Sequence, residues 1–137
     1  MPETKKPVET AAAIKKILLV DDSVTTLLME RMILGESPDL ALFTAGDGEQ
    51  AVRIALEEKP DLILMDVVMP RMNGVQACRE IRSIPEIAEI PIILVTTPGE
   101  DDTVVGGYAS GCTGYINKPL NPAELIALIE AHIGKDW

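Results

Sequence analysis

Residues 62–74 read LILMDVVMPRMNG, and the fold turns on this stretch. Leu62 to Met65 is an unbroken aliphatic run of strand length, the pattern of a strand covered by helices on both faces. It ends in an acid, Asp66. Apolar runs recur on either side at Ile17 to Val20, Leu40 to Thr44, Pro91 to Val95 and Gly114 to Asn117. Segments of helical periodicity separate them. Five βα units in succession predict a parallel sheet with helices packed against it.

The helices carry their own punctuation. Ser23 caps the first, which is expected to end near Gly35. Asp47 followed by Gln50 starts the second in the manner of a capping box, with Ala51, Val52, Ala55 and Leu56 along its buried face. Asn121, Pro122 and Glu124 supply an N-cap, an N1 proline and a reciprocal N3 carboxylate to the last helix, and Gly134 closes it. A further helix expected between Asp101 and Ser110 is poorly specified. Gly106 and Gly107 lie inside it, and each costs about 1 kcal/mol relative to Ala.

At 137 residues the chain has the length of one domain. Aromatics make up only 3% of it while 47% is apolar, so the core must be aliphatic. The net charge of -10 repels nucleic-acid phosphates and anionic membrane surfaces, which disfavours direct contact with either. Cys78 and Cys112 lack CxxC spacing and histidine neighbours, so they read as buried thiols in a reducing compartment. Residues 1–14 read as a flexible leader without an apolar signal segment, and 15–137 as the domain. A soluble, cytoplasmic protein is expected.

In an open α/β sheet, ligands bind beyond the carboxyl ends of the strands, so the residues that end the apolar runs are the ones to weigh. The first run ends in Asp21 and Asp22, the third in Asp66, the fourth in Thr96, and the fifth in Lys118 followed by Pro119. Singly, each has an innocent role as a cap, a strand residue or a solvated charge. Jointly they make a site. Three converging carboxylates repel one another, and a hard divalent cation such as Mg²⁺ relieves that repulsion. A lysine and a hydroxyl beside it offer an incoming phosphoryl group a positive charge and a hydrogen-bond donor.

ILLVDDS at Ile17 to Ser23, LILMDVVMPRMNG at Leu62 to Gly74, PIILVTT at Pro91 to Thr97 and GYINKP at Gly114 to Pro119, in that order, closely resemble the response-regulator receiver family. The resemblance covers nearly everything after the leader. It implies a doubly wound, flavodoxin-like sheet of strand order 2-1-3-4-5. It also implies a single-domain, CheY-like response regulator of a two-component phosphorelay, accepting a phosphoryl group from a histidine kinase or phosphotransfer protein. Such a domain is not an enzyme, although it catalyses its own phosphorylation and slow dephosphorylation with Mg²⁺. By the same resemblance Asp66 is the phosphoacceptor, Asp22 a direct metal ligand, Asp21 a ligand mainly through water, and the Val68 backbone carbonyl the remaining protein ligand. Lys118 pairs with Asp66 and then with the phosphoryl group. Thr96 swings toward the phosphoryl oxygen and lets Tyr115 turn inward, which signals to a protein partner through the helix before the last strand, that strand and the last helix. The family usually has the Lys118–Pro119 bond in cis.

Three features depart from the family pattern. Thr97 replaces a smaller residue beside the switch threonine, which bears on access of the donor histidine. Val68 and Pro98 stand where polar side chains often orient hydrolytic water, which bears on the lifetime of the phosphorylated state. The glycine pair is the third. His132, late in the last helix, reads as a partly buried or surface histidine rather than a phosphotransfer residue, and Met29, Met32 and Met65 read as core. A receiver-shaped scaffold that is never phosphorylated and a phosphate sink remain as alternatives. A haloacid-dehalogenase-like phosphohydrolase fits poorly, because its DxD arrangement is replaced here by Asp21, Asp22, Ser23. Neither the kinase nor the downstream target is encoded in these motifs.

Overall fold

Lys15–Val20 forms the first strand (β1), and its last four residues are buried, as the aliphatic run requires. The chain then builds α1 (Val24–Leu34), β2 (Leu40–Ala45), α2 (Gly48–Glu58), β3 (Leu62–Asp66), α3 (Gly74–Arg82), β4 (Ile92–Thr96), β5 (Gly114–Asn117) and α4 (Pro122–Ile133). This computed structural model describes residues 14–97 and 110–137. The leader up to residue 13, Pro98, and the helix expected around Gly106 and Gly107 lie outside the described residues.

The sheet is parallel throughout, in the order β2-β1-β3-β4-β5. Alternation along the central strands divides the core into two layers. Leu18, Val20, Ile63, Met65, Ile92 and Leu94 face α2 and α3, meeting Ala51, Ala55, Ala77, Cys78 and Ile81. Ile17, Leu19, Leu62, Leu64, Ile93 and Val95 face the other way, toward Leu34 of α1 and Leu125 and Ile129 of α4. Helices on both faces bury every side chain of β3 and β4, which is why those strands carry no alternating polar residues.

The helix starts follow the expected caps. Ser23 accepts from Thr26 N–H, Asp47 from Gln50 N–H, and Asn121 from Glu124 N–H, while Gly35 and Gly134 close α1 and α4. The reciprocal arm at α2 differs. Gln50 Oε1 reaches past the cap to accept from Gly46 N–H at 2.9 Å. The complete capping box belongs to α3, where Asn73 and Gln76 satisfy each other's backbone donors. Three side chains assigned to the core stand elsewhere: Met29, Met32 and Leu56 are exposed, Met32 by 72%. Periodicity placed them on the apolar side of their helices, but a helix packed on a sheet buries only one narrow stripe. His132 is half-buried, its Nδ1 2.9 Å from Leu128 O. Cys78 and Cys112 are free and buried, and burial raises both thiols, Cys78 to about 11.

Candidate functional site at the carboxyl edge of the sheet

All strands point their carboxyl ends to one edge, so the parallel topology alone brings Asp21, Asp66, Thr96 and Lys118 together. Asp21 follows β1 directly and is 1% exposed; its Oδ1 accepts from Ser23 N–H at 2.8 Å, tying it to the start of α1. Asp66 is the last residue of β3 and is also buried. Asp22 is exposed at the rim. Ligand oxygens of these three acids lie within 4.8 Å of one another.

Across them stands Lys118, its Nζ 3.2 Å from Asp66 Oδ1 and 3.6 Å from Asp21 Oδ2. It follows β5, with its N–H donating to Thr96 O at 2.7 Å, and it precedes a cis peptide bond to Pro119. One cation among three carboxylates leaves the pocket with excess negative charge. The consequence is visible at Asp66. Burial, then the neighbouring Asp21, pushes its carboxyl up to about 6 despite the attraction of Lys118. Burial opposes the charge on Lys118 as well, but Asp66 and Asp21 outweigh it and hold the ammonium above its usual range. Asp21 Oδ2 is buried without a hydrogen-bond partner. Clustered carboxylate oxygens, one of them orphaned, are donors of the kind that a small hard cation takes.

Thr96 ends β4, fully buried, and its hydroxyl donates to Asn117 Oδ1 at 2.7 Å. Asn117 and Tyr115 lie on the same side of β5, with Ile116 buried on the other. Tyr115 is 43% exposed. Val68 projects outward with 61% of its surface accessible, and Thr97 is exposed beside Thr96.

The loop that follows Asp66 is cinched against two helices. Gly74 N–H donates to Val67 O at 2.8 Å, and a Cβ at Gly74 would stand 2.4 Å from Asp66 O. Gly48 meets the loop in the same manner, its N–H on Met72 O at 3.1 Å. Only glycine permits either approach. Arg71 takes a left-handed conformation at φ 63° and places its guanidinium on Asp47, with Nη2 2.6 Å and Nε 3.2 Å from Oδ2.

One residue of the site, and one buried acid on a neighbouring helix, escaped sequence reasoning. Asn117 holds Thr96, and nothing in its neighbourhood marks it. Glu30, on α1, is 1% exposed. Its signal was legible: it occupies an apolar stripe position between Leu27 and Leu34. Burial, with Asp21 next in effect, pushes its carboxyl up to about 8; Asp66 adds to this and Lys118 opposes it.

Fold and site define a doubly wound α/β domain with an acidic pocket and a facing lysine at one sheet edge. The chain belongs to the response regulator receiver domain family, whose model matches residues 17–130. It is thus a receiver domain of two-component signalling. It is 38% identical over 116 residues to protein PilH of Pseudomonas aeruginosa, covering 85% of this chain and 95% of that one. It is 37% identical over 123 residues to the DNA-binding response regulator MtrA of Mycobacterium tuberculosis, covering 89% of this chain and 52% of that one. The chain therefore spans about half the length of MtrA and of several other curated relatives. Among solved structures, the receiver domain of sensor histidine kinase PA1611 from Pseudomonas aeruginosa superposes with a TM-score of 0.80 at 32% identity, covering 90% of this chain and all of that one. That structure has a magnesium ion coordinated in its active-site cleft. Receiver domains are signalling modules rather than enzymes, and they typically bind Mg²⁺ at an acidic pocket. No helix among the described residues is long and apolar enough to cross a membrane.

Proposed function

We propose that this chain is a phosphorylation-operated switch in which Asp66 accepts a phosphoryl group from a phosphohistidine of a sensor kinase or phosphotransfer protein. The contact that carries this reading is Lys118 Nζ on Asp66 Oδ1 at 3.2 Å, inside a cluster of three carboxylates. An Asp66 oxygen attacks phosphorus, the P–N bond breaks, and an acyl phosphate forms as the histidine nitrogen leaves with the bonding pair. Lys118 then moves its charge from the carboxylate to the phosphoryl oxygens. Asp21, Asp22, Asp66 and the Val68 carbonyl would hold Mg²⁺, which supplies charge neutralisation for the transferring group. Thr96 supplies a hydroxyl donor, and to do so it gives up its bond to Asn117. Exposed Thr97 flanks the donor's route to Asp66.

The output follows from that exchange. Releasing Asn117 and vacating the space beside β5 lets Tyr115 change position, and a protein partner reads the face made by β5, α4 and the segment before β5. A preference of a few kcal/mol suffices to shift such a population. The test is intact mass after incubation with Mg²⁺ and a small phosphodonor. One added phosphoryl group is expected on the parent and none on Asp66→Asn or after chelation; equal labelling of Asp66→Asn overturns the assignment. With a phosphoryl mimic bound, amide exchange should change between Thr96 and Leu120 and be weakened by Thr96→Ala. Changes centred instead on α2 would misplace the output face.

A further inference from the structure

Thr96 is strapped to β5 at two points. Its carbonyl oxygen accepts from Lys118 N–H at 2.7 Å, and its hydroxyl donates to Asn117 Oδ1 at 2.7 Å. Thr96 and Asn117 are register partners on neighbouring strands, so their side chains leave the sheet on one side, the side that Tyr115 also occupies. The backbone bond fixes where Thr96 stands, and the hydroxyl bond fixes which way it points. The two ends of that second bond differ. Thr96 is 1% exposed, whereas Asn117 is exposed. When the bond opens, water satisfies Asn117 Oδ1, but the buried hydroxyl stays unpaired unless another acceptor takes its place.

We propose, resting on the reading of Thr96 as the hydroxyl donor to the phosphoryl group, that Asn117 is a positioning residue: a latch that holds the Thr96 hydroxyl on β5 and competes with the phosphoryl oxygens for it. Asn117 exchanges its partner for water at little cost, while Thr96 does not. Thr96 therefore turns only when a phosphoryl oxygen is there to accept. Removing the Asn117 acceptor destabilises the resting arrangement alone, since in the phosphorylated one Asn117 is already released. Affinity for a phosphoryl group then rises by the net worth of one hydrogen bond, about 2- to 10-fold. Cross-strand pairs of polar side chains also serve sheet stability. A purely stabilising pair would be lost equally from both states and would leave that affinity unchanged.

The experiment titrates beryllofluoride, a phosphoryl mimic, with Mg²⁺ present into the parent, Asn117→Val, Asn117→Asp, Thr96→Val and the Asn117→Val, Thr96→Val double variant. Affinity and the Tyr115 ring signals are read by NMR. Asn117→Val should bind the mimic about 2- to 10-fold more tightly than the parent, and its mimic-free Tyr115 signals should move toward their mimic-bound positions. Asn117→Asp keeps an acceptor and should bind no more tightly than the parent. Thr96→Val should bind more weakly, and adding Asn117→Val to it should bring no further change, because the latch then has nothing to hold. Asn117→Val binding no tighter than the parent, Asn117→Asp binding tighter, or an equal gain from Asn117→Val in the Thr96→Val background overturns the latch alone. A parent that takes no beryllofluoride, or Thr96→Val binding it as tightly as the parent, overturns the reading of the site and the latch with it.

Discussion

Asp66 and Asp47 are buried aspartates at the same edge of the same sheet, joined by the loop from Val67 to Asn73, and their surroundings are opposite. Asp47 is 2% exposed and satisfied: it caps α2 through Gln50 N–H and receives the Arg71 guanidinium. The backbone bond from Gln50, followed by Arg71, holds its carboxyl below the usual range. Asp66 faces another acid and shares its one lysine with it, and its carboxyl is pushed up. A satisfied buried acid stabilises the fold, whereas a frustrated one stores an affinity for whatever relieves the repulsion. The two also act on stability in opposite senses. The raised Asp66 contributes fully below its unfolded value near 3.8, and that contribution is lost as pH rises through about 6. The lowered Asp47 contributes above its unfolded value, and that contribution is lost as pH falls through its folded value.

The comparison breaks most sharply at the lysine. Lys118→Met removes the positive charge on the proposed phosphoryl path, and uptake from a small phosphodonor should fall about 10²–10³-fold while the fold survives. A fall of less than about tenfold would mean that the lysine is only a structural counterion.

Asp66→Asn should stabilise the cation-free protein at pH 8 by on the order of 2 kcal/mol in urea unfolding, since the folded acid titrates near 6 rather than 3.8. Below pH 4 the difference should vanish, and Mg²⁺ should shrink it at pH 8 by stabilising only the parent. An Asn variant that is less stable at pH 8 would show that Lys118 fully compensates the pocket.

Asp47→Ala sharpens the contrast from the other side. It removes a helix cap and the anchor of Arg71, and should cost about 1 kcal/mol of stability at neutral pH. Mg²⁺ affinity should change little, because the Gly74 and Gly48 contacts still fix the loop. A loss of Mg²⁺ affinity larger than the loss of stability would make the clasp part of the site. Smallest is the effect at Val68, on the same loop. Its side chain offers no polar atom to align water, so Val68→Asn should shorten the phosphorylated half-life severalfold, part of the roughly 10²–10⁴-fold that positioned proton-handling groups supply. An unchanged half-life would remove hydrolytic control from this position.

The order of apolar runs was enough to read the parallel sheet, because a strand buried on both faces must be aliphatic end to end and its last residue must be the first polar one. That rule alone located Asp21, Asp66 and Thr96, and the caps at Ser23, Asp47 and Asn121 followed from local backbone donors that only nearby side chains can satisfy. Met29, Met32 and Leu56 could not be placed in the same way. Whether a helical residue is covered depends on how the helix is rolled against the sheet, a property of two elements rather than one. The Arg71–Asp47 clasp and the Thr96–Asn117 bond span separations of 24 and 21 residues. No local pattern encodes such pairs. Sequence determined which residues stand at the edge of the sheet, and tertiary structure decided which acids there are satisfied, because satisfaction depends on partners that the fold alone brings within hydrogen-bonding distance.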